Sequence, residues 1–344
     1  MSAAHYHALV VKKVVQETQE AISLQFEVPE SVRTLYQYKP GQFLTLRVPW
    51  EGGDQVRCYS MSSSPELDTE LQVSVKRVAG GRVSNYLCDN VKPGDVLDVM
   101  PPAGVFVPKS FDDELLLFAG GSGITPVYSI LRSALVKGNA RIRLIYANRD
   151  EQSVIFKDTL KSLQADYPQR LEVIHLLESL SGIPSESFLT SLASSMSSSA
   201  QVFICGPAPF MDAVENALST VDIPKSAIHL ERFVAPSADS KPVLEMSSDD
   251  GLSSICDTTV EIGRETHQFP WQPDETLLNA AERAGVELPY SCCSGLCASC
   301  MCEVVEGDVS MLVNEVLDER DIKQKLILSC QAIPHSKVAK IRFT

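Results

Sequence analysis

Short runs in which apolar and polar residues alternate fill the first third of the chain. HALVVKKVV, AISLQFEV, GQFLTLRV, LQVSVKRV and DVLDVM put every second side chain on one face, the period of a half-buried strand. Turn-forming Lys39-Pro40-Gly41 and Lys92-Pro93-Gly94-Asp95 punctuate them. Evenly spaced short strands predict an antiparallel β-barrel over residues 1–112.

The period then changes. LLLFAGG is a continuous apolar run, and VYSILRSALVKG after it has helical spacing. RIRLIYANR, a helix around SVIFKDTLKSLQADY, LEVIHLL, QVFICGP and PFMDAVENALSTV continue the alternation. Strand–helix repetition predicts a doubly wound α/β parallel sheet over 113–234. Residues 235–254, rich in Ser, Pro and Asp, read as a linker. From 255 to 344, strands at TTVEIG, THQFPW, CMCEVVEG and VAKIRF surround one helix, ETLLNAAERAG. That pattern predicts an α+β domain, so the chain is expected to be multidomain.

Apolar residues make up 44% of the 344 residues and charged ones 22%, the composition of a globular chain with room for several cores. No run approaches the length of a membrane-spanning helix. The first residues, MSAAHYHALVVKK, lack a positive flank followed by an apolar core. With ten cysteines read as free thiols, a cytoplasmic location is expected. The net charge of −14 argues against a nucleic-acid partner, since phosphate binding requires a basic stripe. From Cys256 to Thr344, fourteen acidic residues stand against eight basic ones. Such a surface either simply solvates the domain or steers a partner protein carrying a basic patch.

The run SCCSGLCASCMC contains Cys292, Cys297 and Cys300, and Cys330 follows in LSCQAIP. This C-x4-C-x2-C…C spacing holds a plant-type [2Fe–2S] cluster, in which each iron needs two thiolates. Structural zinc also takes four thiolates, but its ribbons use two C-x2-C knuckles, and a disulfide framework belongs to small secreted chains. Cys293 and Cys302 fall outside the spacing and are not expected to be ligands.

Other motifs are ambiguous one by one. GGSGITP, at 120–126, ends a strand and opens a helix, with Thr125 able to cap it and Pro126 suited to its first turn. Such a turn seats a pyrophosphate, although the G-x-G-x-x-G fingerprint is absent. Cys205-Gly206-Pro207 ends another strand, where open sheets bind ligands; Cys205 is either a small core residue or a neighbour of a nicotinamide ring. In RCYS, Arg57 can neutralise a phosphate, Tyr59 can stack on a flavin ring and Ser60 can bond a ring nitrogen. Arg57 alone reads more often as a surface charge and Tyr59 alone as a core aromatic. Gly80, Gly81 and Ser84 enter a helix and form a second phosphate seat. Arg149 could pair with a 2′-phosphate, but Asp150 beside it would repel one. The alternative is a non-enzymatic redox-sensing or metal-binding module using the cysteine loop, which predicts no flavin and no reduction by NADH.

Taken in order, RxYS, GGRVS, GGSGITP and CGPxPFM resemble the ferredoxin–NADP reductase superfamily of flavoproteins. With a C-terminal [2Fe–2S] domain of β-grasp type, the layout is similar to the reductase components of multicomponent oxygenases, over nearly the whole chain. Within that group it most resembles reductases serving a Rieske oxygenase that acts on a steroid nucleus, and next those serving a di-iron oxygenase that acts on an aromatic thioester. The resemblance implies FAD, a [2Fe–2S] cluster and NADH (NADPH second) as cofactors, and a terminal oxygenase as protein partner. It implies that Arg57, Tyr59 and Ser60 bind FAD, that Val75 and Lys76 line it, and that Gly81, Val83 and Ser84 hold its pyrophosphate. Gly121, Gly123 and Thr125 would seat the nicotinamide dinucleotide, with Cys205, Gly206 and Pro207 around the nicotinamide. Glu231 and Phe233 would lie near the flavin, and Ser60, Cys205 and Glu231 would be the catalytic side chains. Cys292, Cys297, Cys300 and Cys330 would ligate the cluster.

Overall fold

A computed structural model describes residues 6–50, 54–194, 196–233, 255–290, 292–293, 295, 297–314, 316–317 and 319–343. Residues 235–254, expected to form a linker, lie outside these. Among the described residues no helix is long and apolar enough to cross a membrane.

The alternating runs form β1 (His7–Thr18), β2 (Ala21–Glu27), β3 (Phe43–Val48), β4 (Gln55–Ser60), β5 (Leu71–Lys76) and β6 (Val96–Val99), with α1 (Arg82–Asn90) between the last two. They lie in the order β4-β3-β6-β1-β2-β5. A Met61–Val73 bridge joins the end of β4 to β5 and closes the sheet into the expected barrel. Leu9, Val11, Leu24, Phe26, Leu44, Leu46, Val73 and Val75 fill its core, each pair two positions apart on its strand.

Next come β7 (Leu115–Gly120), α2 (Ile124–Lys137), β8 (Ile142–Asn148), α3 (Lys157–Asp166), β9 (Leu171–Leu177), α4 (Glu178–Ser181), α5 (Glu186–Ala193), β10 (Gln201–Gly206), α6 (Ala208–Leu218) and β11 (Ile228–Arg232). The strands pair in parallel in the order β11-β10-β7-β8-β9. One core lies between the sheet and α2 and α3, and another between the sheet and α5 and α6. Covered on both faces, β7 is buried along its whole length, which explains its unbroken apolar run.

The C-terminal part holds β12 (Cys256–Ile262), β13 (Glu265–Trp271), α7 (Leu277–Arg283), β14 (Met301–Glu306), β15 (Val309–Met311), α8 (Glu319–Lys323), β16 (Leu326–Leu328), β17 (Ala332–Pro334) and β18 (Val338–Phe343). A mixed sheet runs β13-β12-β18-β14-β16, with β12 and β18 parallel. Thr276 caps α7 by accepting from the Asn279 N–H, and Leu277, Ala280 and Ala281 pack on Trp271 and Val260.

By packing, the chain falls into two units: His7–Gln55 with Tyr59–Phe233, and Tyr6 and Val56–Cys58 with the described residues from Ile255 onward. Barrel and parallel sheet therefore form one unit, and α2 explains why. Ser129, Arg132 and Ser133 lie on one helical face, at spacings of three and four. The Arg132 guanidinium donates to both Asp68 oxygens, at 2.5 and 3.0 Å. Ser129 Oγ donates to the Ser63 carbonyl at 2.5 Å, and the Ser64 and Ser133 hydroxyls are 2.9 Å apart. Tyr38 donates to Ser63 Oγ at 2.7 Å from the barrel side. Arg132→Ala strands a half-buried carboxylate and is expected to remove about 1–3 kcal/mol of stability. Chemical denaturation followed by fluorescence measures this; an unchanged midpoint would assign the cohesion to the apolar contacts alone.

Candidate redox site

Two strand tips meet without side chains between them. A Cβ on Gly123 would lie 2.1 Å from the Cys205 carbonyl oxygen, and one on Gly206 would lie 3.0 Å from the Gly120 backbone. Gly121 has φ +52°, in the left-handed region where glycine is favoured. The buried Tyr146 hydroxyl donates to the Gly121 carbonyl at 3.0 Å and accepts from the Ile155 N–H at 3.3 Å, tying this turn to β8. The helix after it begins two residues earlier than the cap reading requires. Gly123 is the N-cap of α2, and Thr125 lies within the first turn, its hydroxyl donating to the Ser122 carbonyl at 3.1 Å. The turn at Gly121–Gly123 already redirects the chain, so Thr125 is not needed as a cap. No side chain caps α2 or α6, whose N-cap is Pro207. At α2 the Ile124 N–H donates to the Gly121 and Ser122 carbonyls and Pro126 has no N–H, so the seat for a phosphate rests on the glycine turn and the helix dipole.

Beside these tips, Ser60 Oγ donates to Glu231 Oε2 at 3.2 Å. Glu231 is the register partner of Cys205 across β10 and β11. Burial pushes the Glu231 carboxyl up to about 8, with the Ser60 hydrogen bond opposing it. Burial also pushes the Cys205 thiol far up, and Glu231 adds to that. Both groups are therefore uncharged near neutral pH. Phe233, just beyond β11, is exposed.

Lys76 points away from the barrel core toward the glycine turn, its Nζ 3.6 Å from where a Gly121 Cβ would stand. Burial lowers its pKa, and Arg149 lowers it further. Val75 and Val83 face the barrel core instead, at 0% and 2% exposure, so only their backbone can meet a ligand. Gly81 is the N-cap of α1, which has no side-chain cap, and Ser84 Oγ accepts from the Val78 N–H at 3.3 Å. Arg57, Tyr59 and Ser60 lie within β4. Tyr59 packs on the barrel core, and Arg57 donates to the Val56 carbonyl at 2.7 Å. Arg149 pairs with Glu20 at 2.6 Å, while Asp150 accepts from the Ser153 N–H at 2.9 Å.

In the other unit, Cys292, Cys300 and Cys330 are buried and Cys297 is half-buried. The Cys292 N–H donates to Cys297 Sγ at 3.4 Å. The Cys292 thiol holds the Cys297 thiol well below its ordinary pKa, and Cys330 does the same for Cys300. The sulfurs thus come in two groups, Cys292 with Cys297, where the Cys58 thiol also bonds, and Cys300 with Cys330. The Ser299 and Ser329 hydroxyls are buried without a closed hydrogen bond. They lie toward Cys297 and Cys300 respectively and lower those thiols. Cys293 is exposed, and Cys302 is buried in the core of its sheet. Among the described residues no three His, Cys, Asp or Glu side chains gather as a single ion would require. Two thiol pairs with spare donors nearby fit a binuclear cluster, two thiolates to each iron.

Family models agree with this division of labour. Residues 8–107 match an oxidoreductase FAD-binding domain, 117–216 an oxidoreductase NAD-binding domain, and 260–335 a 2Fe-2S iron-sulfur cluster binding domain. The ferredoxin reductase component of the 3-ketosteroid-9-alpha-monooxygenase of Rhodococcus rhodochrous is 47% identical over 97% of this chain and 96% of its own length. The chain belongs to the family of oxygenase reductase components. Within that family, a 1,2-phenylacetyl-CoA epoxidase component from Escherichia coli (strain K12) is 37% identical over 96% of this chain and 95% of its own length. Phthalate dioxygenase reductase, a solved structure, shares the fold with a TM-score of 0.62 at 23% identity, covering 98% of both chains. The chain is accordingly an NAD(P)H-dependent oxidoreductase of FAD-, NAD- and 2Fe-2S-binding type.

The motifs do not reveal Tyr146 or the Glu20 partner of Arg149. Tyr146 stands in IYANR, where a buried tyrosine directly before a strand tip is the available signal. Glu20 is 129 positions from Arg149 in the chain, and nothing local marks it.

Glu231 carries the pH prediction. Its folded pKa is raised from 4.5 to about 8, so its stabilising effect is complete below about pH 4.5 and is lost as pH rises through about 8. Relative to Glu231→Gln, the unaltered chain should lose about 2–4 kcal/mol of stability between those limits. Urea melts of both proteins at stepped pH measure the gap; a pH-independent gap would contradict the raised carboxyl.

Proposed function

We propose that the chain oxidises NADH and delivers electrons singly to a terminal oxygenase. The supporting observation is one polypeptide that carries both the Ser60–Glu231 pair beside Cys205 and two pairs of cysteine thiols. The chemistry that FAD and the cluster supply when bound is the conversion of a hydride pair into single electrons. Residues 1–112 would hold FAD, 113–234 the nicotinamide dinucleotide and 255–344 the cluster, with 235–254 as linker.

The protein's own residues would do the rest. Arg57 and the α1 N-terminus, with Gly81 and Ser84, would neutralise and bond the flavin pyrophosphate, while Tyr59 would stack on the ring. The Val75 and Val83 backbone would line that cleft. Gly121, Gly123, Thr125 and the positive end of the α2 dipole would take the nicotinamide pyrophosphate, with the Lys76 ammonium beside them. Cys205, Gly206 and Pro207 would floor the nicotinamide, and Phe233 would cover the flavin side. The uncharged Ser60–Glu231 pair would orient the reacting rings without placing a net charge against an incoming hydride, and Glu231 would hold a proton near neutral pH. Cys292, Cys297, Cys300 and Cys330 would ligate the cluster.

NADH is favoured because Glu20 already neutralises Arg149 and Asp150 adds a negative charge beside it, leaving little to attract a 2′-phosphate. The partner is a Rieske oxygenase acting on a 3-ketosteroid, a reading supported by the relative at 47% identity. An epoxidase acting on an aromatic acyl-CoA is the second reading, supported by the relative at 37%. The acidic surface of the cluster domain suits an oxygenase with a basic docking patch, and the free thiols suit the cytoplasm.

Stopped-flow mixing with NADH should bleach flavin absorbance first and cluster absorbance after it, with NADPH slower by tenfold or more. Cys297→Ser should still accept hydride yet reduce an added oxygenase at under about a tenth of the normal rate. Onward transfer at the full rate would reject the cluster ligation, and a preference for NADPH would reject the role given to Glu20 and Arg149. Product formation with each oxygenase in reconstituted mixtures decides between the two partners.

A further inference from the structure

Gln331 immediately follows the last cysteine of the cluster motif, and its side chain is buried at 7% exposure. Its Nε2 lies 3.1 Å from the Cys293 carbonyl oxygen and 3.6 Å from Cys330 Sγ. A carbonyl oxygen only accepts, so the amide nitrogen must be the atom facing it, and the second hydrogen of the same NH2 is then free to point at the sulfur. The rest of the residue is held firmly. Its backbone N–H donates to the Leu328 carbonyl at 2.8 Å, and its carbonyl accepts from the Leu312 N–H at 2.9 Å. Gly295 closes over the side chain from the cysteine loop, where a Cβ would sit 3.3 Å from Gln331 Cγ and 2.8 Å from the Val313 carbonyl oxygen. With φ +74°, Gly295 lets the loop come that near.

A single amide therefore bridges the two parts of the motif that the sequence separates, the three-cysteine loop and the remote fourth cysteine. Hydrogen bonds to ligand sulfurs withdraw charge from them and stabilise the reduced state, which carries one more negative charge. The geometry points to Gln331 as a positioning residue that clamps Cys293 to Cys330 and raises the reduction potential of the cluster by donating to the Cys330 sulfur. This rests on the proposed ligation by Cys330. It adds a donor, outside the cysteine motif, that sets how far electrons move from flavin to cluster.

The test uses the full chain loaded with FAD and cluster. Anaerobic potentiometric titration, with the reduced cluster followed by electron paramagnetic resonance and iron and sulfide assayed on each sample, compares it with Gln331→Met. Methionine matches the length and removes both donors. Electron sharing should move threefold to tenfold toward the flavin, a drop of about 30–60 mV in the cluster potential at 59 mV per tenfold for one electron, with the flavin potential unmoved. A fully loaded Gln331→Met protein with an unshifted cluster potential overturns the inference. If methionine does not retain iron, Gln331→Leu, uncharged and likewise without a donor, is titrated instead: a lowered potential supports the role and an unchanged one overturns it. Unaltered protein without iron and sulfide would reject the cluster reading itself, which separates that failure from this one.

Discussion

The backbone-to-backbone contact between two strand tips governs the first unit. Gly120 and Gly123 on one side and Cys205 and Gly206 on the other approach so closely that a methyl group at Gly123 would overlap a carbonyl oxygen. A parallel sheet can bring adjacent strand ends this near only if both lack side chains there. Because β10 is fixed in this way, its register with β11 carries Glu231 level with Cys205. Because the barrel is fixed to the same sheet, Ser60 reaches Glu231. Moving either tip would separate three side chains that lie far apart in the sequence.

The barrel is fixed by a polar seam beside apolar contacts such as Phe106 against Phe203, 5.1 Å between ring centres. Serines at 63, 64, 129 and 133 meet across it, and the Asp68–Arg132 pair closes one side. Hydroxyls are small and directional, so each bond admits a narrow range of angles. A greasy interface of equal area would tolerate sliding. For a protein that must bring a nicotinamide and a flavin face to face, that restriction matters more than the modest energy of each bond. The electrostatics fit the same purpose, since burial keeps Cys205 and Glu231 uncharged near neutral pH.

Much of this is legible in the chain because local chemistry dictates it. Strand alternation marks the barrel, the change of period marks the parallel sheet, and the cysteine spacing marks four residues that the fold gathers into two pairs. The cap of α2 falls at Gly123 rather than Thr125 because Gly121–Gly123 bends the chain before Thr125 is reached. Strand alternation turns the Lys76 ammonium out of the barrel core, toward Gly121. Long-range partners leave no trace. Asp68 and Arg132 are 64 positions apart, and Ser60 and Glu231 are 171 apart. Such pairs are set by topology, which no window of sequence contains.

The central claim is that a hydride pair is divided within one polypeptide. Anaerobic reductive titration, with flavin and iron contents determined on the same sample, tests it most directly. Each chain is expected to take up one electron more than its flavin alone can hold, with the last electron bleaching cluster absorbance. An endpoint at the capacity of the flavin, in protein retaining its iron and sulfide, would contradict the claim.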